Sequence, residues 1–107
     1  MRKRFQLRDM QKPLTENEIA TMIVDVAIKI HKQYGPGLLE SVYEAIMAYE
    51  LRKLGLFVEQ QKHIALWHEE LYLPRTFRAD LIVNHIVLVE LKSVEQMSRD
   101  FYKVVHT

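Results

Sequence analysis

Asp80, Glu90 and Lys92 stand inside an otherwise apolar stretch, FRADLIVNHIVLVELK, from Phe77 to Lys92. Charged side chains are rarely buried without a partner, so the stretch raises the question of what these groups face. Two carboxylates held close together repel, and a divalent cation relieves that repulsion. An all-oxygen donor set suits Mg²⁺ or Mn²⁺. A lysine beside such a site can steady a nucleophilic water or a phosphate oxygen, which completes a kit for metal-assisted phosphodiester hydrolysis. A plainer reading stands beside it: Glu90 and Lys92 mark the exposed end of a strand, and Asp80 pairs with Arg78 or Lys92. Glu40 is a further carboxylate, in the first turn of an expected helix, where the helix dipole favours it with or without a metal.

The elements that must position these groups are two strands. On the second, Ile86, Leu88, Glu90 and Lys92 share one side and Val87, Val89 and Leu91 the other. Both sides begin apolar, which predicts a central strand covered on both faces. Register decides whether Asp80 joins Glu90. A two-residue turn at Asn84-His85 would pair Asp80 with Val89 and point the two carboxylates apart, since directly paired residues share a face. A shared site requires a longer loop or a bulge. Asn-His is a poor two-residue turn, because histidine tolerates positive φ less readily than glycine.

Upstream, Thr15-Glu16-Asn17-Glu18 reads as a capping box, with Leu14 and Ile19 placed as a hydrophobic staple. Ile19, Met22, Ile23, Val26, Ala27, Ile30 and Tyr34 repeat at helical spacing, and Gly35-Pro36-Gly37 ends the helix. A second helix is expected from about Leu38 to Leu54, stopping at Gly55, with Leu39, Val42, Tyr43, Ile46 and Leu54 as its buried stripe. Leu56 to Gln61 and Ile64 to Trp67 read as strands. Leu71 to Leu73 reads as a return strand stopped by Pro74. Phe77 to Val83 and Ile86 to Leu91 form the expected central pair, and Met97 to Val105 has helical character. The order predicts an α+β fold, two N-terminal helices on a mostly antiparallel sheet.

The remaining candidates carry less. His31, His63, His68, His85 and His106 show no paired metal spacing. Tyr43 reads as core. Trp67 and Tyr72 have the chemistry to stack on bases, though hairpin packing explains them more simply. There is no Gly-rich phosphate loop, Ser-His-Asp set or zinc motif.

The chain has 107 residues, 49% of them hydrophobic and 27% charged, which is ordinary for one globular domain. It has no cysteine, so disulfides and thiolate metal sites are excluded. No apolar run is long enough to span a membrane. The net charge of +1 conceals an asymmetry. Residues 1–13 carry five cations and one anion, so the rest of the chain is net acidic by three. That predicts a basic, flexible tail over 1–13 and one domain over 14–107. The tail reads either as an arm for a nucleic-acid backbone or as a solubilising end.

Two motifs in order carry a resemblance. Gly37-Leu38-Leu39-Glu40-Ser41-Val42-Tyr43 fits GxxExxY, and Asp80 followed by Glu90-Leu91-Lys92 fits D…ExK. Together they resemble the GxxExxY family of small bacterial proteins, assigned to the PD-(D/E)XK nuclease-like superfold, over about Glu16 to Lys103. The resemblance implies a restriction-endonuclease-like core in which Glu40, Asp80 and Glu90 hold Mg²⁺ or Mn²⁺ and Lys92 orients the attacking water. It implies a protein acting on DNA or RNA, and the absence of cysteine fits the reducing cytoplasm expected for it. Ala79 stands where the superfold's name has proline. Relatives continue the last helix, with a glutamine and a tyrosine on it, into another strand, whereas this chain stops at Thr107. The expectation is therefore a shortened C-terminal part, an open sheet edge and a homo-oligomer. The alternative function is a catalytically inactive interaction or dimerisation module that keeps the fold.

Overall fold

The computed structural model describes residues 12–92. The expected C-terminal helix over Met97 to Val105, and all of the basic tail except residues 12 and 13, lie outside them.

Helix α1, Glu16–Tyr34, begins with the complete capping box. The Thr15 side chain accepts from the Glu18 amide at 3.1 Å, and the Glu18 carboxylate accepts from the Thr15 amide at 2.9 Å. Gly35, at φ 73°, lets the chain leave the helix into a 3₁₀ turn over Gly35–Gly37. Helix α2 spans Glu40–Lys53 and ends in a Schellman turn. The Leu56 amide donates to the Leu51 carbonyl and the Gly55 amide to the Arg52 carbonyl, with Gly55 at φ 86°.

Three strands follow as an antiparallel meander: β1, Val58–His68; β2, Leu71–Val83; and β3, Val87–Val89. The sheet therefore has fewer and longer strands than expected. Leu56 to Gln61 and Ile64 to Trp67 are parts of the single strand β1. Pro74 does not stop the return strand. It sits where the register shifts, with two more residues on β2 than on β1 between the Ile64↔Phe77 and Leu66↔Leu73 pairs, and a bulge frees the position from donating a ladder hydrogen bond. Among the described residues β2 is central and β3 is an edge, which corrects the expectation of a central Ile86 to Leu91 strand covered on both sides. Leu88 is accordingly exposed.

The core is built from Ile19, Val26 and Ile30 of α1, Met47, Ala48 and Leu51 of α2, and Leu56, Val58, Leu81 and Val83 beneath them. Burial on α1 follows the predicted stripe except at Tyr34, which is exposed. The stripe on α2 is rotated from prediction. Leu39, Val42 and Leu54 are exposed, and Glu44, Met47, Ala48 and Leu51 are the buried line. These four recur at spacings of three, one and three, a proper helical face. It was hidden because one member is a glutamate. Beyond the helices, the β1–β2 hairpin continues as a two-stranded extension whose residues are almost all exposed.

Candidate active site

Asp80 lies on β2, one residue beyond the last pair with β3, Leu81↔Val89. Val83 pairs with Val87, so the connection is the three residues Asn84, His85 and Ile86. That register places Asp80 level with Glu90, the alignment a shared site requires. The turn closes with the Ile86 amide donating to the Val83 carbonyl at 3.0 Å. Asn84 and His85 both take positive φ, 51° and 59°. Asn84 is anchored at both ends. Its amide donates to the Phe57 carbonyl, and its side-chain oxygen accepts from the Phe57 amide, both at 2.7 Å. The His85 ring stacks on Phe57 at 4.8 Å, which offsets the strain of its backbone.

Asp80 is held firmly. Its Oδ2 accepts from the Leu91 amide at 2.7 Å, and its Oδ1 lies 3.4 Å from the Gln61 side-chain nitrogen. The same Gln61 nitrogen donates to Glu44 Oε1. Glu44 Oε2 accepts from Gln60 Nε2 at 3.0 Å, and Arg52 Nη1 donates to Gln60 Oε1 at 3.2 Å. A continuous polar chain thus runs from Arg52 through Gln60, Glu44 and Gln61 to Asp80 and the Leu91 backbone. Glu44 is only 9% exposed. Its carboxylate is satisfied by two neutral amides, with the Arg52 guanidinium one side chain further along. The arrangement depends on Gln61, whose φ of 51° breaks strand alternation. In a regular strand, Gln60 and Gln61 would point to opposite faces. Here both reach one carboxylate.

Glu40 is the first residue of α2, one turn before Glu44 and exposed. It lines a cavity of about 430 Å³ between the two helices and the end of β3. Glu90, Lys92, His31 and Tyr43 line the same cavity, whose floor is apolar. The Lys92 ammonium lies 3.4 Å from Glu90 Oε1. Tyr43 meets His31 edge to face at 6.1 Å, and burial raises its phenol above the usual 10.0. The structure therefore brings Glu40, Glu90 and Lys92 to one cavity and places Asp80 at its own anchored position nearby, outside the cavity lining. Among the described residues no three of the His, Asp and Glu side chains converge closely enough to hold a metal ion. Among the described residues no ion pair within 4.0 Å joins Asp80 to Arg78 or Lys92, and the Leu91 amide and Gln61 contact its carboxylate instead. The sequence reading missed Glu44, Gln60 and Gln61. The available signal was a glutamate at helical spacing with Met47, Ala48 and Leu51.

Two helices on an antiparallel meander, with an aspartate on one strand and an ExK segment directly after the neighbouring strand, is the architecture of a nuclease-like α+β domain. The chain matches the PD-(D/E)XK nuclease superfamily over residues 17–107 and belongs to it. Comparison with curated proteins and with solved structures finds no match to either. No helix among the described residues is long and apolar enough to cross a membrane.

Proposed function

We propose that this protein is a divalent-metal-dependent phosphodiesterase acting on DNA or RNA, in the cytoplasm, and that within its superfamily it is a GxxExxY protein. The observation that carries the reading is the register of the β2–β3 hairpin, which sets Asp80 level with Glu90. The donor set is all oxygen, which fits Mg²⁺ or Mn²⁺. Asp80, Glu90 and Glu40 are the metal ligands. Asp80 is the fixed one, because the Leu91 amide holds one oxygen and leaves lone pairs on both. Glu90 and Glu40 are exposed and swing to meet the ion. Bound metal supplies charge stabilisation for the phosphoryl oxygens and a more acidic water. Lys92, with 31% of its side chain exposed, holds that water or a phosphate oxygen from the cavity side.

The test is thermal or urea unfolding with and without Mg²⁺. A ligand that binds only the folded state adds stability by mass action, about 2.7 kcal/mol at a hundredfold excess over Kd. Wild type should show this increment and Asp80→Ala should lose it. Asp80→Ala should also lower metal-free stability by roughly 1–2 kcal/mol, through the lost bond to Leu91. Lys92→Ala should keep the increment and lose hydrolysis. An Mg²⁺ increment identical in wild type and Asp80→Ala would refute the site. The second reading, an inactive module, is favoured by the engagement of both Asp80 oxygens and the Lys92–Glu90 pair within the protein. It predicts no increment in any variant.

A further inference from the structure

The hairpin formed by β1 and β2 beyond the helices is more than a connection. From Lys62↔Ala79 to His68↔Leu71 it spans seven residues of β1, about 23 Å at strand rise. Directly paired residues share a face. One face continues the core side and carries Ile64, Leu66, Leu73 and Phe77. The other carries His63↔Arg78 and Trp67↔Tyr72. Arg78 and Asp80 are two apart on a regular stretch of β2, so this outer face is continuous with the strand that bears Asp80.

Trp67 is 65% exposed and Tyr72 48%. Their rings touch each other at 4.7 Å and 49°, and no other ring contact covers them among the described residues. Two large aromatics paired in this way on a solvent-facing strand are preorganised, with an outer ring face free. Arg78 stands on the same face, paired with His63, and Arg75 lies in the bulge between Leu73 and Phe77; neither arginine has an anionic partner among the described residues. With Lys62 paired to Glu59 at 3.0 Å, Arg75 and Arg78 balance Glu69 and Glu70 over residues 62–78, whereas the chain beyond its basic tail is net acidic. The two glutamates occupy the turn itself, so a phosphate backbone is steered onto the strand face and away from the tip.

We propose that the outer face of this hairpin binds single-stranded nucleic acid, with Trp67 and Tyr72 stacking on unpaired bases and Arg78 taking the phosphate between them and Asp80. Stacking needs bases freed from a duplex, which selects single strands or frayed ends. The level of Asp80 is about 20 Å from the aromatic pair along β1, so a strand seated on both crosses the Arg78 and His63 positions on the way. This proposal rests on the phosphodiesterase reading for its substrate class, but its test is independent of metal and of cleavage.

Trp67 is the only tryptophan in the chain, so its fluorescence reports the site directly. The full chain is titrated in EDTA with a fluorescein-labelled oligothymidylate of about twelve nucleotides, reading both Trp67 emission and probe anisotropy. Binding with quenched Trp67 emission is expected. Tyr72→Ala should weaken it roughly tenfold. Arg78→Ala should weaken it and reduce the slope of log affinity against log salt by about 0.7. Binding that leaves Trp67 emission and the Tyr72→Ala affinity unchanged would place the strand elsewhere and overturn the proposal. Absence of binding at low salt overturns it too. So does a probe-independent shift of Trp67 emission with protein concentration, matched by dimer in sedimentation, because the hairpin then holds a second copy. Loss of the Mg²⁺ increment alone would refute the metal site and leave this result intact.

Discussion

Glu44 offers the sharpest test of how this fold is held together. Its carboxylate is buried on α2, in line with Met47, Ala48 and Leu51, and accepts from two glutamine amides. Glu44→Ala removes both bonds. Hydrogen bonds to a charged group contribute about 1.5–3 kcal/mol each when fully desolvated. Gln60 and Gln61 are themselves exposed and recover water, so a net loss of roughly 1 kcal/mol per bond is appropriate. With the truncated methylenes the expected total is about 2–3 kcal/mol. For a domain of this size that lowers Tm by roughly 10–20 °C. Glu44→Leu is the informative partner. It fills similar volume on a stripe that is otherwise apolar, and replacing a buried charge by a packed hydrophobe is often neutral or better. It should stay within about 1 kcal/mol of wild type. Both variants release Gln61 from the helix, so both should weaken the Mg²⁺ increment that reports on Asp80. Urea unfolding followed by circular dichroism at helix wavelengths is the assay, since Trp67 lies on the exposed hairpin and reads the core poorly. If Glu44→Ala is neutral, the polar chain is not what joins α2 to the sheet; if Glu44→Leu is as damaging as Glu44→Ala, packing does not replace the two hydrogen bonds and the expected tolerance of leucine is refuted.

Two further outcomes follow from local chemistry. The Tyr43 phenol is raised by burial above 10.0, so the folded state holds its proton longer than the unfolded state does. Its contribution is fully present below the unfolded value and is lost as pH rises through the raised one; Tyr43→Phe should therefore flatten the alkaline loss of stability above about pH 10 in urea titrations. Thr15→Ala breaks the capping box of α1 and should cost about 1 kcal/mol, measured by the same unfolding experiment at neutral pH.

The sequence made the start of α1 and the stops of both helices legible because each has its own local chemistry. Thr15 and Glu18 satisfy amides that would otherwise be orphaned, and Gly55 takes a backbone conformation that most residues resist. It made the Asp80–Glu90 register legible as a condition, since strand geometry allows only alternating faces. Three features were hidden. The rotation of α2 was misread because apolarity alone was used to choose its face, and the buried line contains Glu44. The long strands were cut short because Pro74 and the Lys62-His63 pair look like breaks, when a bulge takes up Pro74 and β1 runs on through Lys62 and His63 past the left-handed Gln61. The edge position of β3 among the described residues was missed because Val87 and Val89 on one side and Ile86 and Leu88 on the other are all apolar, although Ile86 and Leu88 are exposed.

Gln61 joins these misreadings into one physical account. A non-glycine residue in the left-handed region costs on the order of 1 kcal/mol, and nothing in a two-stranded ladder requires it. What the kink provides is a second amide turned toward α2, so that one helix carboxylate is held by consecutive strand residues while the same amide lies against Asp80. Regular alternation would have kept that amide on the Asp80 side of the sheet and left Glu44 held by Gln60 alone. The departure from regularity therefore sits at the residue that links the buried glutamate of α2 to the aspartate of the nuclease signature. A position set by such a network is hard to infer from alternation, because its existence depends on alternation failing.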